Sequence, residues 1–379
     1  MPFAEIKNGS PQLIKIIQDK ILEKGMISFR DFMEMSLYEP HLGYYTSDRE
    51  VWGKKGDYLT SPALHPIFGK LICRQLFEIW GVLGKPPEFT IIEAGSGSAA
   101  LLKEIIECSE SFSSEFYKSI NPVIVDINLV GKQKNSSQSS WYSSLNEVRS
   151  LVTGCIISNE LIDAFPVHIV TNDNGILKEV YVTLDNDGFT EVLDTPSDPA
   201  ITEYLKGIIT INGQRIEVNL EAVRYIKTAA DILEKGFVIT IDYGLPAKEF
   251  YETFRNGGLL CYYKHKINDN PYTRIGCQDI TSHVDWTGLA RYGKEAGLDV
   301  TGFTTQFYFL MALGILEEFK TIEDLSIKGA PQLEWNQKLK ELLMPGGMGS
   351  TFKVLIQHKG IETPNLTGFS YRNFKDNLL

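Results

Sequence analysis

Apolar and polar positions alternate along the chain with two periods, and together they predict an α/β fold. Continuous apolar runs, each ending in a polar residue, indicate strands buried on both faces of a mostly parallel sheet. Four such runs lie at residues 89–93, 122–127, 154–159 and 236–242. Two more, near 298–303 and 351–357, would close the sheet. Apolar residues at helical spacing follow the first strand, as expected when helices cover the sheet.

Two flanking patterns add elements to this sheet. The pattern at residues 11–35 predicts two amphipathic helices, with Ser28 placed to cap the second. A segment rich in Gly, Tyr and Pro follows, and a buried helix is expected over 71–83. Alternating patterns at 178–193 and 214–220, followed by a helix that ends at Gly236, predict a β-rich insertion lobe.

These patterns divide the chain into five expected segments. The N-terminal helices and a pocket-lining segment occupy 1–85, and the first half of the α/β domain occupies 86–171. The insertion lobe covers 172–235, the second half of the α/β domain covers 236–360, and a tail covers 361–379.

Composition narrows the class of protein. With 379 residues, of which 43% are hydrophobic, the chain can bury a full core. It has no apolar run of the roughly 18 residues that span a membrane. The first residues lack a signal or transit pattern, so cytoplasmic residence and a bacterial origin are expected. Five scattered cysteines without CxxC spacing argue against a metal site or a disulfide framework.

The formal net charge of −11 bears on possible partners. It argues against a nucleic-acid partner, because such binding depends on Lys and Arg against phosphates. It suits a basic protein substrate, although acidity also keeps a protein soluble. The oligomeric state cannot be inferred from sequence.

The glycine loop in TIIEAGSGSAALL carries the main chemical signal. A phosphate-binding P-loop would need a Gly-Lys-Ser or Gly-Lys-Thr, which is absent. A dinucleotide site would favour a third glycine where Ala100 stands. Instead, Glu93 precedes Gly95, Ser96 and Gly97, an order that suits S-adenosylmethionine (SAM). The glycines would let the backbone approach the cofactor, and the carboxylate would face its cationic end.

Polar residues at the ends of the other strands point to the same ligand edge, since open α/β sheets bind ligands beyond the carboxyl ends of their strands. Asp126 is placed to accept hydrogen bonds from ribose hydroxyls. The strand at 154–159 ends with Asn159, and Glu160 and Asp163 follow it. Carboxylates there suit a guanidinium acceptor. The alternative role for Asp163 is an N-cap on a following helix.

A guanidinium must also lose a proton when it is methylated. Glu160 would align it, and a neighbouring carboxylate or His65 would accept the proton. The alternative for His65 is packing or a bond to the backbone.

Nine segments in matching order resemble the MidA-like family of class I SAM-dependent methyltransferases, whose members include a mitochondrial complex I assembly factor. Among them are GDYLTSPALHPIFG, IIEAGSGSAALL, ISNELIDAFPV and GGMGSTFKVLI. The resemblance implies a SAM cofactor, a Rossmann-like fold with a mostly parallel seven-stranded sheet, and methyl transfer to an arginine of a protein. It implies that Gly56, Tyr58 and Thr60 line the cofactor pocket.

The sequence departs from the family pattern at three positions. Ala99 replaces the last glycine of the loop, Asp126 replaces a usual Glu, and Leu260 stands where the family often has Arg.

Other readings stay open at this stage. The aromatic segment over 38–58 would also enclose a planar small molecule, which suits an O- or N-methyltransferase of metabolism. The altered loop is compatible with an assembly or scaffold protein that retains the fold. An NAD-dependent dehydrogenase shares part of the loop signature.

Overall fold

A computed structural model describes residues 9–47, 67–128, 139–186, 188–208, 211–318, 342–343 and 348–378. Its α-helices are α1 (Pro11–Lys24), α2 (Phe29–Tyr38), α3 (Ile67–Val82), α4 (Ala100–Phe112), α5 (Ser114–Ser119), α6 (Pro199–Tyr204), α7 (Leu220–Ile232), α8 (Ala247–Thr253), α9 (Trp286–Glu295), α10 (Gln306–Ala312) and α11 (Met348–Thr351). Its strands are β1 (Ile27–Ser28), β2 (Phe89–Ala94), β3 (Ile120–Val125), β4 (Ser140–Tyr142), β5 (Val152–Asn159), β6 (His168–Asp173), β7 (Ile176–Asp185), β8 (Gly188–Asp194), β9 (Arg215–Val218), β10 (Leu233–Leu245), β11 (Leu260–Tyr263), β12 (Lys266–Asn268), β13 (Asp279–Thr281), β14 (Val284–Asp285), β15 (Asp299–Thr305) and β16 (Phe352–Lys359).

The chain folds into two compact units, and each is built from three separate stretches. The first unit, here called the lobe, contains residues 1–59, 163–224 and 247–288. The second, here called the sheet unit, contains residues 60–162, 225–246 and 289–379. The expected segments were contiguous, whereas α3 belongs to the sheet unit and α1 and α2 belong to the lobe.

The sheet unit carries a mixed sheet, which confirms the α/β prediction. Seven strands follow one another in the order β15-β16-β10-β5-β2-β3-β4. The neighbours from β10 to β4 are parallel, and β16 is antiparallel to both β10 and β15. Most residues of β2, β5 and β10 are buried, as their continuous apolar sequences predict.

Two glycines allow the central strands to approach closely. A Cβ added at Gly154 in β5 would lie 1.9 Å from the carbonyl oxygen of Thr90, and one at Gly236 in β10 would lie 2.1 Å from the carbonyl oxygen of Gly154. Such distances are sterically forbidden, so side chains at these two positions would separate the strands. The helix that was expected to end at Gly236 is α7, and it ends earlier, at Ile232. Gly236 lies inside β10.

The lobe contains two antiparallel sheets. One has the order β1-β7-β6-β9, with β8 paired to β7, and the other has the order β12-β11-β13. The β-rich content expected for the insertion is present. Helices α1 and α2 bury Leu13, Ile17, Phe29 and Phe32 in a core shared with these strands. The hydroxyl of Ser28 accepts a hydrogen bond from the Asp31 amide at 3.1 Å, so the predicted cap is confirmed.

Among the helices that the structure describes, none is long and apolar enough to cross a lipid bilayer.

Candidate functional site

The loop between β2 and α4 bends through three left-handed backbone positions. Gly95 and Gly97 have φ of 70° and 54°, a conformation that glycine adopts without strain. A Cβ at Gly95 would also lie 2.6 Å from Cδ1 of Leu161. Ala99 has φ of 57°, although it carries a Cβ. The backbone at Ala99 is therefore left-handed, a conformation that suits the glycine found there in the family pattern.

Glu93 lies beneath this loop rather than at its open face. Its side chain is 6% exposed, and Oε2 accepts a hydrogen bond from the Leu102 amide at 3.3 Å. Because Ala99, the residue before α4, offers no side-chain cap, Glu93 supplies an acceptor to the first turn of the helix. Burial raises the pKa of Glu93 from 4.5 to about 8, and the nearby Asp126 carboxylate adds to the shift.

Asp126, just after β3, binds the same loop directly. Its Oδ2 accepts a hydrogen bond from the Gly97 amide at 2.7 Å, and its Oδ1 accepts one from the Asn128 amide at 2.8 Å. In a dinucleotide site, the loop amides face a pyrophosphate. Here the Gly97 amide has the Asp126 carboxylate as its partner.

Two buried polar atoms beside the loop lack partners within the described residues. These are Oγ of Ser96 and Oδ1 of Asn159, the last residue of β5. Buried polar atoms are normally hydrogen-bonded, so an unpaired one indicates a missing ligand or water. SAM carries an ammonium group and hydroxyl groups, and these two oxygens could accept hydrogen bonds from such donors. The residues present therefore fit this cofactor.

The turn after β5 holds Glu160 in a strained conformation. Its φ is 54°, an uncommon value for a residue with a side chain. The Glu160 amide donates a hydrogen bond to the Ile241 carbonyl of β10 at 3.0 Å. Its carboxylate accepts one from Nδ2 of Asn159 at 2.9 Å. Strain of this kind persists where surrounding contacts enforce it, and it is common in functional sites.

Asp242 supports this turn from β10. Its side chain is fully buried, and Oδ2 accepts a hydrogen bond from the Ile162 amide at 3.0 Å. The backbone that carries Glu160 is therefore fixed at both ends. Asp242 is the polar residue that ends the apolar run at 236–242, but its bracing role was not predicted from the sequence.

Asp163 lies in a turn at the start of a stretch that belongs to the lobe. No described helix follows it directly, so the N-cap alternative is wrong. Its carbonyl accepts a hydrogen bond from the Ser282 amide at 2.8 Å. Four other predicted site residues, Gly56, Tyr58, Thr60 and His65, lie outside the described residues.

Sequence reasoning missed the amides of Leu102 and Asn128 as parts of the site. Asn128 follows Asp126 by two residues, the spacing of an Asx turn, and that spacing was a usable signal. Leu102 had no such signal, because its part depends on where the Glu93 side chain turns in three dimensions.

Comparison with known proteins agrees with this geometry. Residues 71–304 match the Methyltransf_28 family model, described as "Putative S-adenosyl-L-methionine-dependent methyltransferase". The mitochondrial protein arginine methyltransferase NDUFAF7 homolog of Drosophila melanogaster is 26% identical, and the match covers 98% of this chain and 90% of the relative. The mitochondrial protein arginine methyltransferase NDUFAF7 of Homo sapiens is also 26% identical, over 94% and 86% of the two chains.

Solved structures include a close match in fold. A protein of Burkholderia thailandensis with bound S-adenosyl-homocysteine is 25% identical, with a TM-score of 0.86 and 96% of each chain covered. The resemblance to MidA-like proteins and the prediction of SAM as the cofactor are confirmed. Since the family model matches more than half of its residues, the chain belongs to the Methyltransf_28 family of SAM-dependent methyltransferases.

Proposed function

We propose that this methyltransferase transfers the methyl group of SAM to an arginine guanidinium of a protein substrate. The observation that carries the proposal is the fixed carboxylate of Glu160 at the end of β5, in a strained turn braced by Asp242. A carboxylate pairs with the planar fork of a guanidinium better than with a neutral acceptor. The names of the relatives, which include protein arginine methyltransferases, support the same acceptor.

The finer fold assignment is part of this proposal. The order β4-β3-β2-β5-β10-β16-β15, with β16 antiparallel, supports a class I, Rossmann-like methyltransferase sheet. The glycine loop and the Asn159-Glu160 turn follow β2 and β5, which are parallel neighbours. Their carboxyl ends therefore meet at one edge of the sheet, where a ligand is expected.

The cofactor residues are assigned from their geometry. Each oxygen of Asp126 accepts one backbone amide, and since a carboxylate oxygen can accept more than one hydrogen bond, Asp126 would also accept from the two ribose hydroxyls. Gly95 and Gly97 bring backbone close to the cofactor. Ser96 and Asn159 offer acceptors to its amino-acid part. Glu93 supports the loop by accepting a hydrogen bond from the Leu102 amide.

SAM supplies a methyl group activated by its attachment to a sulfonium. Glu160 orients the guanidinium so that one nitrogen faces this carbon, and positioning of this kind accounts for much of the rate of an in-line displacement. A nitrogen–carbon bond forms, the carbon–sulfur bond breaks, and its electron pair stays on sulfur. The surplus proton passes to a carboxylate, Glu160 or Asp163, or to His65.

The substitution Glu160→Gln tests the acceptor role, because glutamine keeps the size but loses the charge. We expect at least a ~100-fold loss of methyl transfer to arginine-containing proteins, with S-adenosyl-homocysteine affinity nearly unchanged. Transfer is measured with methyl-labelled SAM, and methylarginine is identified by mass spectrometry. Glu362→Gln, at an exposed position, is the control. Normal transfer by Glu160→Gln would contradict the proposal, and a labelled small molecule without labelled protein would favour the metabolic alternative.

Two further expectations belong to the proposal. We expect the partner to be a basic, arginine-containing protein, in keeping with the net charge of −11. Cytoplasmic residence stays a prediction, and the relatives named above are mitochondrial by name.

A further inference from the structure

The lobe contains a cavity of about 550 Å³ that the proposed methyl transfer does not use. Its lining includes aromatic and apolar residues, among them Phe29, Tyr272 and Pro271. It also includes four charged side chains, Glu191, Arg215, Glu217 and Asp269. Three of the four are acidic, so the cavity has a negative balance.

A tight ion pair already satisfies two of these charges. Arg215 donates to both oxygens of Glu191, at 2.7 and 3.0 Å, in the parallel arrangement typical of arginine and carboxylate. The hydroxyl of Tyr272 donates to Oε1 of Glu191 at 2.8 Å. Arg215 lowers the pKa of Glu191 against the opposing effect of burial. The remaining acidic groups are Glu217 and Asp269. Burial raises the pKa of Glu217, and a bound cation would favour its charged form.

Glu217 is the unusual member of the cavity wall. Its side chain is 5% exposed, and Oε1 accepts a hydrogen bond from the Gly258 amide at 2.8 Å. Oε2 is buried and has no hydrogen-bond partner among the residues that the structure describes. The hydrogen bond from the Gly258 amide gives Oε1 a structural role. It does not involve Oε2, and a buried carboxylate oxygen without a donor is energetically costly.

We propose that this cavity binds a basic side chain of the protein substrate, with Glu217 and Asp269 as its anionic partners. The proposal rests on the protein-methylating function put forward above. A guanidinium or ammonium group supplies the donor that Oε2 of Glu217 lacks. Tyr272 and Leu259, both partly exposed, offer the aromatic and apolar surface that the stem of such a side chain covers. The site would select substrates with a second basic residue besides the one that is methylated.

The test measures binding to the full chain without SAM, so that it does not depend on methyl transfer. The probes are the N-acetyl methylamides of arginine and lysine, and the matched control is the citrulline compound, which has nearly the shape of arginine without its charge. Affinities come from ligand-observed NMR titration. We expect the better cationic probe to bind at least ~10-fold more tightly than the citrulline compound.

Variants locate the site. Glu217→Gln keeps an oxygen for the Gly258 amide, and we expect it to weaken the cationic probe by about 10-fold. Asp269→Asn, at an exposed position, should weaken it less. Glu252→Gln, an exposed glutamate of the same lobe, is the control and should leave affinity unchanged.

Three results would overturn the inference. Equal binding of the citrulline compound would show that charge is not recognised, and unchanged binding in Glu217→Gln would place the probe elsewhere. Loss in Glu160→Gln instead of Glu217→Gln would assign the binding to the methyl-acceptor site. If methyl transfer to proteins fails but Glu217→Gln still abolishes probe binding, the proposed function is wrong and the cavity remains a cation site.

Discussion

The carboxylate of Asp126 holds the glycine loop and is also placed to hold the cofactor. Both oxygens accept backbone amides, from Gly97 and Asn128. In Asp126→Asn, one oxygen becomes an NH2 group that cannot accept, so one of these bonds and one ribose contact are lost together. We expect S-adenosyl-homocysteine affinity to fall by ~10- to 100-fold, measured by calorimetric titration. Asp231→Asn, at an exposed position, should bind normally. Unaltered affinity in Asp126→Asn would remove Asp126 from the site.

Glu93 makes stability depend on pH. Its pKa is raised from 4.5 to about 8 in the folded chain, so the folded state holds its proton more tightly than the unfolded state does. The resulting stabilisation is complete below 4.5 and is lost as pH rises through about 8. In Glu93→Gln, which cannot ionise, urea unfolding should show a flatter stability profile across this window. A parallel decline in both proteins would show that another group is responsible.

Individual site residues were predictable where a local pattern determines them. Glu93, Gly95, Gly97 and Asp126 follow from the rule that ligands lie beyond the ends of parallel strands, and the structure places them together around one loop. The direction of the Glu93 carboxylate was not predictable. It turns toward α4 because Ala99 provides no cap, a consequence of packing in three dimensions.

At the scale of elements, the close contact of β2 and β5 depends on Gly154. The substitution Gly154→Ala places a Cβ against the Thr90 carbonyl, and neither backbone can yield without breaking the ladder. We expect a loss of at least ~3 kcal/mol of unfolding free energy, or failure to fold. Gly81→Ala in α3, where a Cβ would meet nothing within 4 Å, is the matched control and should be neutral or stabilising. Equal effects of the two substitutions, measured by chemical unfolding, would contradict this account.

Long apolar runs predicted elements well. Short strands, and strand ends that are defined by pairing with a neighbouring strand, were predicted poorly. The runs at 89–93 and 154–159 correspond to β2 and β5. The strand β4 has three residues, none of them fully buried, and it has no hydrophobic signal of its own. Its pairing with β3 defines it, and such pairing is not visible in a local window. The early end of α7 has the same origin, since pairing of β10 with β5 begins at Leu233.

For the whole molecule, the order of nine family-like segments was a stronger guide than composition. The match to the family model covers residues 71–304, which include the glycine loop, the Asn159-Glu160 turn and the lobe strands after them. Net charge indicated a basic partner without identifying it. Contiguous segment boundaries could not anticipate the two units, because a compact unit is defined by contacts between distant stretches.

The alternation of the chain between the two units limits how such a protein can change over generations. Since the lobe and the sheet unit each draw on three separate stretches, the backbone passes from one unit to the other five times. No single exchange of a contiguous piece of gene can transplant either unit whole, duplicate it or delete it. Changes confined to one unit are therefore expected as point substitutions and changes in loop length.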